Sequence, residues 1–137
     1  MDRKEYMRKY NCEHKERKRE LTNKWREEHR GEYLKSNLKS VEKRQKRIRQ
    51  EIFILLGNKC TNPNCPIPSE KLDPRGLQID HVNGGGTKMR KKLGISNCYF
   101  RILKEIKAGS LDYQLLCAYC NFIKRLDTKR ERGGVNG

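Results

Sequence analysis

The sequence predicts an α+β fold: a small, metal-stapled domain behind a basic α-helical extension. Three observations predict it. Cys60 and Cys65 form one short-loop pair and Cys117 and Cys120 a second, far along the chain, a pattern that suits one tetrahedral zinc with four thiolates. Two short alternating runs, Leu77-Gln78-Ile79-Asp80-His81-Val82 and Tyr113-Gln114-Leu115-Leu116-Cys117, read as strands on either side of a helical segment. The first fifty residues are dominated by Glu, Lys and Arg, with no proline before Pro63, and read as solvated helix.

Residues 1–45 form the predicted extension, 46–132 the compact domain and 133–137 a frayed tail. Within the extension, opposite charges recur three or four residues apart, which gives modest support to isolated helix. Gly31 and the Lys35-Ser36-Asn37 stretch are the expected breaks. A weak 15-residue echo sets Lys9-Tyr10-Asn11-Cys12-Glu13-His14-Lys15 against Lys24-Trp25-Arg26-Glu27-Glu28-His29-Arg30, placing Tyr10 and Trp25 at related positions. Two readings stand side by side: a solvated charged helix with no specific role, or an arm whose Lys and Arg contact phosphates, with Trp25 and the tyrosines as partial anchors.

From Val41 the apolar pattern tightens. Ile48, Ile52, Leu55 and Leu56 fall on one helical face, and Gly57 supplies the stop. Four prolines, Pro63, Pro66, Pro68 and Pro74, make residues 61–75 loop. After the first strand, Gly84-Gly85-Gly86 turns the chain into an expected basic loop over 87–94, with Lys88, Arg90, Lys91 and Lys92. A helix is expected over about 97–108, with Tyr99 or Phe100, Leu103 and Ile106 inward and Gly109 as terminator. A last helix is expected from 118 to about 130, with Phe122, Ile123 and Leu126 packed. Cys98 reads as a small apolar filler and Cys12 as an exposed thiol.

The 137 residues are 34% hydrophobic and 36% charged. A core drawn from about 80 residues is marginal without a staple, and bound zinc supplies folding free energy. The net charge is +16; residues 1–51 carry 18 basic and 10 acidic groups, and 52–137 carry 15 and 7. A basic surface on both parts favours a polyanion, nucleic acid before membrane, and the extension has no broad apolar face for a bilayer. The longest strongly apolar run, Ile52 to Leu56, cannot span one. The opening residues are polar and charged with no secretory signal, so a reducing cytoplasm and zinc thiolates are expected over disulfides.

The order is then Cys pair, strand ending in Asp80-His81, glycine turn, helix, strand, and Cys117-Ala118-Tyr119-Cys120-Asn121 opening a helix with Lys124. Residues from about Ile52 to Arg130 resemble the zinc-bearing, phage-type branch of the HNH endonucleases, with Cys60-x4-Cys65, Ile79-Asp80-His81-Val82, Leu115-Leu116-Cys117-Ala118-Tyr119-Cys120-Asn121 and Lys124 as the matching pieces. The resemblance implies a ββα-metal fold that holds one divalent cation against a DNA phosphodiester. It implies His81 as general base, Asp80 and Asn121 as ligands of a catalytic Mg2+ or Mn2+, and a purely structural Zn2+ on the four cysteines. Double-stranded DNA is the implied partner, and the cytoplasm of a bacterial or phage-infected cell the implied compartment. The family's middle asparagine is missing; Asp112 is nearest to its place and could accept a bond from the His81 ring, or a backbone carbonyl could orient it.

Bland readings stand beside these. Asp80-His81 could be an ordinary turn pair, and Asn121 only a helix-start residue. Asn83 could be a turn residue or belong to the site. Lys124 and the cluster Arg90, Lys91 and Lys92 could touch phosphate or simply be solvated. The functional alternatives to a nuclease are a non-catalytic zinc-stabilised nucleic-acid-binding module and an interaction protein that binds an acidic partner.

Overall fold

The computed structural model describes residues 2–133. The chain is mixed α+β and divides into two compact units, residues 1–42 and 43–137. The last four residues of the predicted tail, 134–137, lie outside the described residues.

The first unit is helical: α1 (Arg3–Glu13), α2 (Lys15–Glu28) and the opening turns of α3 (Arg30–Leu55). Neither α1 nor α2 buries any residue, as their charged composition dictates. The helix passes straight through Gly31 and residues 35–37, so the expected breaks there do not occur. The breaks fall instead at His14 and His29, the two histidines of the 15-residue echo. At each, Nδ1 bonds the carbonyl of the aromatic residue four positions earlier: His14 with Tyr10 O at 2.9 Å and His29 with Trp25 O at 3.0 Å. Each imidazole also stacks on that aromatic ring, with centroids 4.1 Å apart for Tyr10–His14 and 4.8 Å for Trp25–His29. The side-chain bond to a carbonyl near the helix end competes with continued helix, which an inspection for Gly and Ser does not detect.

The second unit takes the remainder of α3, then β1 (Leu77–His81), α4 (Gly86–Lys107), β2 (Tyr113–Cys117) and α5 (Ala118–Gly133), with single 3-10 turns at Ser69–Lys71 and Pro74–Gly76. Helix α3 ends where Gly57, at φ 86°, reverses the backbone and Asn58 N–H donates to Phe53 O at 2.8 Å. The strands pair antiparallel, with Leu77 opposite Cys117, Asp80 opposite Gln114 and His81 opposite Tyr113. Alternation sends Leu77, Ile79 and His81 to one face and Gln78 and Asp80 to the other.

The first face meets the core. Ile48 and Ile52 of α3 pack with Cys98, Ile102 and Leu103 of α4 and Tyr113 of β2; Phe53, Leu77 and Leu115 form an adjoining cluster. Cys98 is the buried filler expected, and Cys12 is exposed. Two assignments change. Phe53, not Leu55, completes the buried face of α3; Leu55 is exposed. On α5, Phe122 and Leu126 are exposed rather than packed, because α5 turns its polar face toward β1.

The expected basic loop over 87–94 is helix. It forms the first turns of α4, and Gly94, at φ 75° and ψ 165°, breaks α4 where the loop was expected to end. Lys and Arg are good helix formers, so a basic run next to a glycine turn extends a helix as readily as a loop. Tyr99 and Ile106 pack at the core edge, while Phe100 is exposed.

Candidate functional site

The two cysteine pairs converge. The sulfurs of Cys60, Cys65, Cys117 and Cys120 all lie within 4.8 Å of one another. The 61–76 loop brings Cys60 and Cys65 to the start of α5, and Thr61 N–H fastens it to Leu115 O at 2.8 Å. Backbone N–H groups already point at the sulfurs: Cys117 N–H donates to Cys60 Sγ at 3.3 Å, and Cys120 N–H to Cys117 Sγ at 3.4 Å. Asn62 Nδ2 donates to Cys120 Sγ at 3.2 Å. Burial pushes the Cys120 thiol up to about 12. Burial also acts to raise Cys117, but the hydrogen bonds it receives outweigh that and hold it low. Four soft sulfurs at this spacing, with N–H donors to stabilise thiolate charge, fit a tetrahedral structural metal. Such an ion would supply the positive charge that four crowded sulfurs need to ionise together.

The second constellation lies at the end of β1. A cleft of about 670 Å³ is lined by Gln78, Asp80, His81, the Gly84–Gly86 turn, Arg90, Asn121 and Lys124, with Arg49, Arg125, Thr128 and Lys129 at its flanks. Asp80 and His81 leave the strand on opposite faces, yet both reach this cleft because β1 ends there. On the α5 side, Asp80 Oδ2 accepts from Lys124 Nζ at 2.5 Å and from Gln114 Nε2 at 2.8 Å. The same ammonium donates to His81 O at 2.8 Å and Val82 O at 3.0 Å, so all three of its protons are placed. Asn121 Nδ2 donates to Gln78 Oε1, and its amide oxygen has no hydrogen-bond partner among the described residues.

On the core side the His81 ring meets Tyr113 edge-on, with centroids 5.0 Å apart and planes at 70°. Its Nε2 is buried without a hydrogen-bond partner among the described residues, and the other ring nitrogen, Nδ1, lies against Gly86. Gly86 faces that nitrogen so closely that a Cβ there would lie 2.6 Å from Nδ1. Burial lowers the His81 pKa below 6.5, partly opposed by the charges of Asp80 and Glu105, so the ring is neutral near pH 7. Tyr113 donates its hydroxyl to Glu105, which also accepts from Arg101 Nε at 2.7 Å. Burial, reinforced by that bond, pushes the Tyr113 phenol well above its ordinary range.

Of the residues singled out in the sequence, Asp80, His81, Asn121, Lys124 and Arg90 share the cleft. Asn83, Lys91 and Lys92 are exposed and do not line it. Asp112 does not reach the His81 ring. Its carboxylate accepts from Ser110 Oγ at 2.9 Å, while its backbone carbonyl accepts from Val82 N–H at 2.9 Å. Residues missed are Gln78, Gln114, Gly86, Tyr113, Glu105, Arg49, Arg125, Thr128 and Lys129. Helical spacing from Asn121 puts Lys124, Arg125, Thr128 and Lys129 on one face, a signal present in the sequence. Glu105 and Tyr113 carried none, since their meeting depends on where α4 packs.

For a hard divalent cation the free donors are Asp80 Oδ1, which no donor bonds among the described residues, and the Asn121 amide oxygen. One carboxylate oxygen and one amide oxygen lining the same cleft are oxygen donors of the class that hard divalent cations take. Among the described residues, no helix is long and apolar enough to cross a membrane. Comparison with known proteins finds no matching family model, no matching curated protein and no matching solved structure.

Proposed function

We propose that residues 43–133 form a divalent-metal-dependent DNA endonuclease centre of the HNH kind, with a structural zinc on Cys60, Cys65, Cys117 and Cys120. The observation that carries this reading is the single cleft shared by Asp80, His81, Asn121 and Lys124, built where an antiparallel strand pair meets its following helix. His81 Nδ1 takes the proton of the attacking water, and a neutral imidazole at pH 7 is in the right state to do so. Asp80 Oδ1 and the Asn121 oxygen hold the cation. When bound, that cation neutralises the phosphate and stabilises the leaving oxygen. Arg90, Arg125 and Lys129 line the approach and hold flanking phosphates.

Supercoiled plasmid incubated with pure protein, with and without Mg2+ or Mn2+, tests the reading. Nicking that needs the metal and disappears in His81→Ala, with zinc content and DNA affinity retained, is the expected result. Wild-type nicking by His81→Ala refutes the mechanism. One observation favours a second reading, a zinc-stabilised nucleic-acid-binding module without catalysis: Asp80 Oδ2 is already saturated by Lys124 and Gln114. On that reading DNA binds, and no metal produces cleavage.

A further inference from the structure

We propose that Lys124 is a resident cation that occupies the mouth of the divalent-metal site in the DNA-free protein, so that metal and DNA load together. This rests on the nuclease reading of the cleft. The ammonium takes Asp80 Oδ2 at 2.5 Å and the carbonyl oxygens of His81 and Val82 at 2.8 and 3.0 Å. A carboxylate and two carbonyls are the hard oxygen set that a divalent ion itself selects. The Lys124 side chain is 30% exposed and that of Asp80 15%, so the pair is shielded enough for the charge to be felt and open enough for the lysine to leave.

In the free protein a divalent ion at Asp80 Oδ1 faces this ammonium across one carboxylate. The two charges repel, and only one carboxylate opposes them. An incoming phosphate changes both terms. It supplies anionic oxygens to the ion and a second acceptor for the lysine, which swings from Asp80 to the phosphate. Lys124 is thus a positioning residue that makes metal occupancy depend on substrate and keeps the free protein poorly loaded.

The test is Mn2+ binding measured by electron paramagnetic resonance on the full chain, in a His81→Ala background so that DNA stays intact. Four samples are compared: Lys124 intact and Lys124→Met, each with and without a short duplex. Without duplex, Lys124→Met binds Mn2+ more than about tenfold tighter than the protein with Lys124. With duplex, the protein with Lys124 gains at least as much, and the two converge. Arg125→Met removes a charge from the same cleft without touching Asp80 and gains less than about threefold, because screening weakens a more distant charge.

Equal Mn2+ affinity in Lys124→Met and the protein with Lys124, with zinc content and melting temperature retained, overturns the proposal and leaves the nuclease reading standing. If Lys124→Met does not fold, the duplex arm of the protein with Lys124 decides alone: no gain in Mn2+ affinity on adding DNA overturns it. Absence of Mn2+ binding in every sample, with zinc in place, removes Asp80 as a metal ligand and overturns the nuclease reading as well.

Discussion

A single methyl group at residue 86 should separate folding from catalysis. Gly86 lies outside the left-handed backbone region, so alanine is conformationally acceptable there; the obstacle is the His81 ring, whose Nδ1 and Cε1 would lie 2.6 and 2.9 Å from the new Cβ. Non-bonded contacts of this kind settle near roughly 3.4 Å or more. The imidazole must therefore retreat by about 0.8 Å, or the start of α4 must move by the same amount. Misplacing a reacting group by about 1 Å costs on the order of 10²-fold in rate, equivalent to about 2.7 kcal/mol of transition-state stabilisation. The methyl group would also stand beside Nδ1, the nitrogen proposed to take the proton. Stability moves less. Alanine for glycine gains about 0.4–1 kcal/mol from the unfolded chain, while crowding costs about 1–3 kcal/mol. Gly86→Ala should then melt within a few degrees of wild type, keep its zinc, bind duplex DNA normally, and nick plasmid on the order of 100-fold more slowly. Gly31→Ala, where nothing lies within 4 Å of the added carbon, is the control and should nick at the wild-type rate. A folded Gly86→Ala protein whose His81 ring resonances shift, yet which nicks at the wild-type rate, would refute the assignment of His81 Nδ1 as the base.

Metal analysis should find one zinc per chain, lost in Cys117→Ser together with cooperative unfolding of the second unit, whereas Cys98→Ser keeps the metal. Because burial depresses His81, its ring should titrate by NMR below about 6.5. The unfolded chain then takes up that proton first, so the His81 contribution to stability is present above pH 6.5 and is lost as pH falls toward the folded value. Removing residues 1–40, which bury nothing in α1 or α2, should leave the second unit folded with its zinc. The slope of log DNA affinity against log salt should become shallower by roughly 0.9 for each phosphate that the extension neutralises; an unchanged slope with a large drop in melting temperature would make the extension structural.

What the sequence showed plainly was the part governed by short-range rules. The four-cysteine cluster was legible from two Cys pairs, the strands from alternation over five residues, and the end of α3 from Gly57. Features that need three-dimensional packing were not. The basic run at 88–92 has the composition of a solvated loop and of a helix alike, and only the turn at Gly85 decides that α4 starts there. Phe122 and Leu126 suggested a packed face on α5. The helix instead commits Asn121 and Lys124 to Gln78 and Asp80 on the strand, leaving the apolar stripe in solvent. The aromatic and histidine pairs of the 15-residue echo were visible as a repeat, but their role as helix breaks follows from a side-chain bond that composition does not reveal.

The orientation of His81 is the step at which sequence reasoning and structure part most clearly, and it yields a prediction of its own. The Asp112 carboxylate or, in its place, a backbone carbonyl was expected to orient the ring. The Asp112 carboxylate instead accepts from Ser110, and its backbone carbonyl accepts from Val82 N–H at the end of β1. The Tyr113 hydroxyl donates to Glu105, which also accepts from Arg101; neither bonds Nε2, which is buried without a hydrogen-bond partner among the described residues. The ring is therefore held by shape, between the Tyr113 edge and the missing side chain of Gly86, and not by a hydrogen bond. A ring held by packing tolerates removal of nearby charge but not a change of nearby volume. Asp112→Ala keeps the backbone bond to Val82 and loses only the exposed link to Ser110, at a cost of less than about 1 kcal/mol. Its metal-dependent nicking should stay within about threefold of wild type, in contrast to Gly86→Ala. If Asp112→Ala retains its zinc and melting temperature yet loses nicking, the carboxylate orients the ring and the packing account of His81 fails.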